Sequence, residues 1–363
     1  MKVGILGGGQ LGAMLSESAK NIGVETAVFD PAPDCCAQHV TKHFCHDYSD
    51  FENLKKFAEW SDVITYEFEN VPLDAVNYVM QFKEVKPTSK ALDYTQDRLN
   101  EKQLLNSLGI ETADFCEVSN LDDLENAGKS LGFPFFLKTR CGGYDGKGQW
   151  KVTENDNLEE ILESAPTRNL IAEKAINFDR EVSMVAVRNS EGEFKFFDIC
   201  ENVHDNGILH NTRNMVNDPY QKMAEEKISK LMDHLEYCGV LTLEFFQSEG
   251  DLLANEYAPR VHNSGHWTIE GTVTSQFESH MRAVSGLPLE SVANKGNFLM
   301  YNLIGGVPEE LKADDFNDGV LHDYLKAPRP GRKAGHLTLE LKSTEDYSEK
   351  LKKFDDIMKS SGL

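Results

Sequence analysis

The segment FPFFLKTRCGGYDGKGQ, residues 133–149, concentrates residue types that can hold an anion. An apolar run from Phe133 to Leu137 ends in Lys138 and passes into a loop with four glycines in seven residues, Gly142 to Gly148. Glycine lets the backbone turn through positive φ and bring N–H groups against an anion. Lys138 and Lys147 add fixed positive charge, so the segment suits a phosphate. It is not a P-loop, because Cys141 stands where the first glycine of G-x-x-x-x-G-K-[ST] belongs and Gly148 follows Lys147. A nucleotide held by a different architecture is the expectation. Cys141 has no nearby His or Asp to serve as a base for a nucleophilic thiol, so it reads as a packing residue.

A pair of carboxylates supplies the second half of such a site. VLTLEFFQSEGDLLANEYAPR, residues 240–260, has the pattern of a β-hairpin turning at Ser248 to Asp251. Alternate strand residues share a face, so Glu244 and Glu256 meet only if the loop has an odd length. A three-residue loop with Gly250 in the left-handed position is the expected solution. One acid between Leu243 and Phe245 reads best as a surface-facing strand position. Two acids with Asn255 beside them, downstream of a glycine loop, make a hard oxygen site suited to magnesium carried by nucleotide phosphates.

Two further motifs compete for attention. GGGQLG, residues 7–12, satisfies G-x-G-x-x-G between a strand and a helix, and Asp30 follows 18 residues after Gly12. Alone this predicts an NAD-dependent oxidoreductase, the rival reading, or else a plain turn whose helix N-terminus holds some other anion. The oxidoreductase reading leaves the second glycine loop without a purpose. KAPRPGRK, residues 326–333, places four cations in eight residues of an otherwise acidic chain. Such a run is ordinarily a solvated surface. Its prolines and glycine exclude an ordinary helix and put the cations on a stiff loop.

The elements that must position these groups alternate in type. VGIL (3–6), a helix from about Leu11 to Ile22, ETAVFD (25–30), DVITYEF (62–68) and a helix near 73–82 predict a parallel sheet covered on both faces. Residues 85–98 read as a linker entering a helix, with Pro87 breaking structure before it. A mixed α/β region follows to about 295, then a short C-terminal part. At 363 residues the chain is expected to form two or three domains. Its net charge of −23 argues against nucleic-acid or anionic-membrane binding. No apolar run approaches the ~20 residues needed to cross a bilayer, and the first residues, MKVGILGGG, lack the charged-then-long-apolar layout expected of a signal peptide. Seven cysteines in irregular spacing, without a C-x-x-C pair, fit reduced thiols in a cytoplasm.

Together these motifs resemble the ATP-grasp superfamily and, within it, the 5-(carboxyamino)imidazole ribonucleotide synthase family. GGGQLG (7–12), TYEFENVP (65–72), QDR (96–98), KTR-GGYDGKGQ (138–149), EFF (244–246), APR-HNSGHW (258–267) and RK-GH (332–336) carry the resemblance from end to end. Another ATP-grasp ligase, such as a formate-using glycinamide ribonucleotide transformylase or a D-alanine ligase, would share the ATP site but not GGGQLG, YEFENVP and HNSGHW together.

The resemblance implies an α/β fold with a Rossmann-like N-terminal domain (1–95), an ATP-grasp body (96–295, lid portion about 96–170) and a small C-terminal domain (296–363). It implies ATP-dependent carboxylation of 5-aminoimidazole ribonucleotide by bicarbonate, with magnesium, and a homodimer. ATP would be surrounded by Arg98, Lys138, the loop Gly143, Tyr144, Asp145, Gly146, Lys147, Gly148 and Gln149, then Glu173, Lys174, Ala175, Ile176, Glu181, His204, Asn255 and Glu256. Glu244 and Glu256 would hold magnesium. Gln10, Leu11, Tyr144, Asn263, Ser264, Lys326, Arg332 and Lys333 would hold the imidazole nucleotide, with the helix N-terminus after the first glycine turn facing it. Arg260 is expected to fork onto bicarbonate or carboxyphosphate oxygens, and His262 or Asp145 to manage the amine proton. His266, before Trp267, reads as a packing residue. The chain departs from the family pattern at Tyr257, Val261, Ala334 and residues 210–218, which bears on loop shape and removes no charged group.

Overall fold

Parallel pairing opens the chain, as the β-branched runs require. Strands β1 (Lys2–Leu6), β2 (Glu25–Phe29), β3 (Lys42–Phe44) and β4 (Val63–Tyr66) form a sheet in the order β3-β2-β1-β4. Helix α1 (Gln10–Asn21) connects β1 to β2 and α2 (Phe51–Trp60) connects β3 to β4, and α3 (Leu73–Val79) follows β4. The computed structural model describes residues 1–143, 148–313 and 318–363. In the stretch 85–98, Val85 adds a parallel bridge to Ile64 before α4 (Ser89–Thr95) and α5 (Arg98–Ser107) begin.

A second, antiparallel sheet contains β5 (Phe115–Val118), β6 (Phe135–Thr139), β7 (Gln149–Val152) and β8 (Leu170–Lys174) in the order β5-β8-β6-β7. The glycine loop is the β6–β7 connection, so its foot is fixed to this sheet. The third sheet is nine-stranded and antiparallel: β9 (Arg180–Arg188), β10 (Phe194–Phe196), β11 (Cys200–Asp205), β12 (Ile208–Asn214), β13 (Gly239–Ser248), β14 (Asp251–Ala258), β15 (Asn297–Ile304), β16 (Val320–Asp323) and β17 (Lys333–Leu341). Its order is β14-β13-β9-β11-β12-β15-β17-β16, with β10 on β9. The sheet therefore runs unbroken across residue 295.

Apolar burial joins the first sheet to the third. α1 buries Leu11, Met14, Leu15 and Ala19 in one cluster with Val185 and Val187 of β9 and Phe277, Met281 and Val284 of the helix Gln276–Val284. His280, fully buried in that helix, accepts from the Val240 amide through Nδ1 at 3.0 Å, which leaves Nε2 to meet Thr65 Oγ1 of β4 at 2.9 Å. α5 buries Leu104 and Leu105 in a separate cluster with Met184, Leu241 and Leu243.

The first glycine turn explains why its dinucleotide signature misleads. The Gly8 amide donates to Asp30 Oδ2 at 2.8 Å, and the Gly9 and Gly12 amides donate to Glu67 Oε1 and Oε2, each at 2.8 Å. Donors that would meet a dinucleotide pyrophosphate are committed to the protein's own carboxylates. For the same reason the helix N-terminus does not present these three amides to a nucleotide acceptor, contrary to the expectation from sequence. Burial and the nearby Asp30 push the Glu67 carboxyl upward, while its two N–H partners and Arg260 pull it down. Glu67→Ala strips both amides of their acceptor and is expected to cost roughly 2–3 kcal/mol of folding stability. Urea denaturation checks this, and an unchanged midpoint would show that the turn does not need the carboxylate.

Candidate active site

One cleft of about 970 Å³ runs between the three sheets and collects most of the polar motifs. Its charged wall is organised by α5. Asp97 caps that helix, accepting from the Leu99 amide at 2.9 Å. Arg98 then reaches Glu256 at 2.9 Å and the Gly143 carbonyl at 3.1 Å. One turn later Glu101 accepts from the Tyr257 amide at 2.7 Å, and Lys102 reaches Glu173 at 3.2 Å and the Asn255 carbonyl at 3.2 Å. Lys138, the last-but-one residue of β6, meets the same Glu173 oxygen at 2.9 Å.

Two lysines thus share one carboxylate oxygen, with Arg98 close by. Burial works against the Glu173 charge, but Lys102, Lys138 and Arg98 win and hold its carboxyl at about 2. Lys138 shifts the other way to an ordinary salt-bridge partner: burial and the neighbouring Lys102 and Arg98 lower it more than Glu173 raises it. The physical reason is an excess of cations, three against the two carboxylates Glu173 and Glu256. Glu101 compensates them less than an ordinary glutamate would, because burial and nearby Glu256 push its carboxyl up to about 8. A dry pocket with surplus positive charge favours an incoming anion.

Glu244 and Glu256 both reach the cleft wall, by a route the sequence did not suggest. The hairpin turn has two residues, not three, with Ser248 paired to Asp251 and both Glu249 (φ 53°) and Gly250 (φ 87°) left-handed. An even loop would put the two glutamates on opposite faces. A β-bulge corrects this: Leu243 pairs Tyr257 and Phe245 pairs Ala254, so Glu244 alone opposes Asn255 and Glu256. Burial works against the Glu244 charge, and His262, His204 and Lys333 outweigh it, so its carboxyl lies below the usual range. Two carboxylates and an amide carbonyl fit a magnesium ion that arrives with nucleotide phosphates. No group of three or more His, Cys, Asp or Glu able to cage a metal occurs among the described residues.

Beyond the hairpin, Arg260 is gripped by Glu69 of the YEFENVP segment and also donates to the Val261 carbonyl at 3.0 Å. Burial opposes the Glu69 charge, yet Arg260 holds that carboxyl at about 2. His262 is oriented from behind: Ser183 donates to Ser264 Oγ at 2.8 Å, Ser264 Oγ meets His262 Nδ1 at 2.9 Å, and His262 Nε2 faces Glu244 at 3.0 Å. Glu181 and His204 pair at 2.7 Å, and the carboxylates of Glu181 and Glu244 raise the imidazole against the opposing effect of burial. Asn263 exchanges two amide hydrogen bonds with Asn302, at 3.1 and 2.6 Å. At the far end Lys326 donates to Gln10 Oε1 at 2.6 Å, which sets the basic loop against the first glycine turn. That loop is pinned by Gly305, whose amide donates to the Arg332 carbonyl and whose carbonyl accepts from the Arg329 amide, both at 2.8 Å.

Most sequence-predicted residues reach the cleft wall: Gln10, Leu11, Arg98, Lys138, Gly143, Gln149, Glu173, Lys174, Ile176, Glu181, His204, Glu244, Asn255, Glu256, Arg260, His262, Asn263, Lys326, Arg332 and Lys333. Gly148 and Ala175 are not among its lining residues, and Ser264 is fully buried behind His262 instead of facing a substrate. Tyr144, Asp145, Gly146 and Lys147 lie outside the described residues. Cys141 is exposed, not packed, and His266 is fully buried. Sequence reasoning missed Glu67, Glu69, Asp97, Glu101, Lys102 and Arg140. A signal existed for three of them: Asp97, Glu101 and Lys102 recur with Arg98 at helical spacing, on one face of the helix that also carries Leu104 and Leu105.

Comparison with known proteins agrees with this geometry. Residues 103–277 match the ATP-grasp domain model, residues 1–96 the ribonucleotide synthetase preATP-grasp domain and residues 299–350 the phosphoribosylaminoimidazole carboxylase C-terminal domain. Fold and cleft are thus those of an ATP-grasp enzyme. The N5-carboxyaminoimidazole ribonucleotide synthase of Pseudomonas aeruginosa is 44% identical over 339 residues, 93% of this chain and 94% of its own. The crystal structure of N5-carboxyaminoimidazole ribonucleotide synthetase from Thermus thermophilus is 44% identical, covers 98% of both chains and superposes with a TM-score of 0.91. The Aspergillus clavatus enzyme, solved with ADP and 5-aminoimidazole ribonucleotide, is 30% identical over 99% of this chain and 98% of its own, with a TM-score of 0.90. The chain belongs to the N5-carboxyaminoimidazole ribonucleotide synthase family.

The Glu173 cluster makes a pH prediction. Its carboxyl is lower folded than unfolded, so the stabilisation is present above about pH 4.5 and fades as pH falls toward 2. Glu173→Gln is expected to lose roughly 3 kcal/mol at pH 7, with the gap to wild type narrowing below pH 4.5. Urea denaturation across pH 7 to 3 measures it, and a constant gap would remove the charge-based account.

Proposed function

We infer that this protein is an ATP-dependent ligase that carboxylates 5-aminoimidazole ribonucleotide with bicarbonate, giving N5-carboxyaminoimidazole ribonucleotide, ADP and phosphate in purine biosynthesis. The observation that carries the reading is one cleft with two separate cationic ends, around Lys138 and around Lys326, and the paired glutamates between them. Two phosphorylated molecules require two such ends. Family membership identifies them.

Bicarbonate is a poor electrophile and its hydroxide a poor leaving group. Transfer of the γ-phosphoryl group to a bicarbonate oxygen gives carboxyphosphate and ADP, and attack by the amine on its carbon releases phosphate. Arg98, Lys138 and the foot of the glycine loop hold the ATP phosphates, with Glu181 and His204 on the same wall. Glu244 and Glu256 would hold magnesium, with Asn255 beside them, and the ion would offset phosphate charge when bound. Arg260, aimed by Glu69, forks onto the bicarbonate oxygens and reduces their repulsion from the phosphates. His262, oriented by Ser264 and Glu244, and Asp145 are the two sequence-derived candidates to manage the proton leaving the amine. Lys326, Arg332 and Lys333 take the 5′-phosphate of the acceptor, and Gln10, Leu11 and Asn263 lie along it.

The stretches 1–95, 96–295 and 296–363 divide this work among acceptor contacts, ATP and acceptor phosphate, with about 96–170 as the lid portion. Free thiols at Cys35, Cys36, Cys45, Cys116, Cys141, Cys200 and Cys238 fit a reducing cytoplasm. No helix of the described residues is long and apolar enough to cross a membrane.

ADP release with magnesium-ATP, bicarbonate and 5-aminoimidazole ribonucleotide tests the reading, with acid-labile carbon from bicarbonate expected on the acceptor. Turnover with a different acceptor would discard the substrate and keep the ATP site. Glu256→Gln is expected to lower ADP release by a factor of about 100 or more, since both the magnesium ligand and the Arg98 partner lose their charge. Near-normal release would discard the assigned metal site.

A further inference from the structure

Asp97 and Arg140, which fall inside the QDR and KTR motifs, have no part in the chemistry described above. Their geometry is nevertheless specific. Arg140 Nε lies 3.0 and 3.1 Å from the two Asp97 oxygens, and its NH2 donates to Asp97 Oδ2 at 2.6 Å. Both side chains are largely buried. The Arg140 carbonyl accepts from the Arg98 amide at 2.9 Å, so backbone and side chain grip the same helix end. On its other side Arg140 belongs to the four-stranded sheet: NH1 donates to Glu117 of β5 at 2.6 Å, and its amide donates to the Asn169 carbonyl at 3.1 Å.

Arg140 directly follows β6 and stands at the foot of the glycine loop. Asp97 caps the helix whose next residue, Arg98, touches both Gly143 and Glu256. The distance from the loop's foot to the metal-side carboxylate is therefore set through this joint. A forked, partly buried guanidinium–carboxylate pair is stiff in direction as well as distance.

We propose that Arg140 and Asp97 form a clasp that holds the glycine-loop sheet on α5, and that both are positioning residues for ATP. The inference rests on the ATP reading of this cleft. Ground-state placement of the nucleotide is what the clasp controls, so its loss appears first in affinity for ATP and less in the chemical step.

Two variants isolate the charge pair from the helix cap. Asn caps a helix nearly as well as Asp, so Asp97→Asn removes the ion pair and keeps α5. Arg140→Gln removes it from the other side. Each is expected to raise the KM for ATP about tenfold, with kcat changed less than about threefold and the KM for 5-aminoimidazole ribonucleotide unchanged. The double variant is expected to be no worse than either single one, because only one interaction is lost. Arg140→Lys, which keeps charge without the fork, is expected to recover part of the loss. Thermal stability falling with the KM for ATP unchanged would overturn the clasp, as would effects that multiply in the double variant. Wild-type enzyme that neither binds ATP by calorimetry nor releases ADP would overturn the ATP reading and the clasp with it. ATP binding by wild type with unaltered binding by both single variants overturns the clasp alone.

Discussion

The structure depends on one desolvated row of charge along α5. Arg98, Glu101 and Lys102 lie where an amphipathic helix would ordinarily bury apolar side chains, between the glycine-loop sheet and the hairpin that carries Glu256. Burying them is costly unless each finds a partner. Each does, and the partners come from different sheets: Glu173 from the second, Glu256 and the Tyr257 amide from the third. What would be a penalty in an isolated helix becomes the joint that fixes two sheets around one cleft. The neutralisation is incomplete by design of numbers, since the cations exceed the ionised acids, and the remainder is what a polyphosphate would meet.

The same economy appears at the two glycine motifs. At residues 7–12 the helix N-terminus is filled by Asp30 and Glu67, so the turn is structural despite its dinucleotide-like spelling. At the described foot of the second glycine motif the neighbour is a cation, with Arg98 donating to the Gly143 carbonyl. The charge of the residues that the fold brings alongside separates the two motifs.

How much of this was legible in the sequence depended on range. Strand and helix periodicity identified β1, α1, β2, β4 and α3, because burial of one face repeats locally. The long motifs identified the family and most cleft residues. The hairpin was placed correctly at Ser248 to Asp251, but its loop length was misjudged, because the bulge opposite Glu244 leaves no mark in the residue pattern. Glu69, Glu101 and Arg140 were missed for a related reason. Their partners lie far away in sequence, and a charged residue reads as solvent-exposed until the fold supplies a counter-charge. Ser264 erred the other way: a polar residue in a polar motif, it faces inward and steers His262.

The third sheet's continuity across residue 295 bears on how the edge of β12 is covered. β12 pairs with β15 through Asn211 and Tyr301, Thr212 and Met300, Arg213 and Leu299. Without the strands after 295, β12 would be a bare edge presenting unpaired amides and carbonyls, a template for pairing with other chains. The C-terminal strands thus shield that edge as well as carrying the basic loop. A chain that kept its ATP machinery but lost these strands would face self-association along β12 together with the loss of the basic loop.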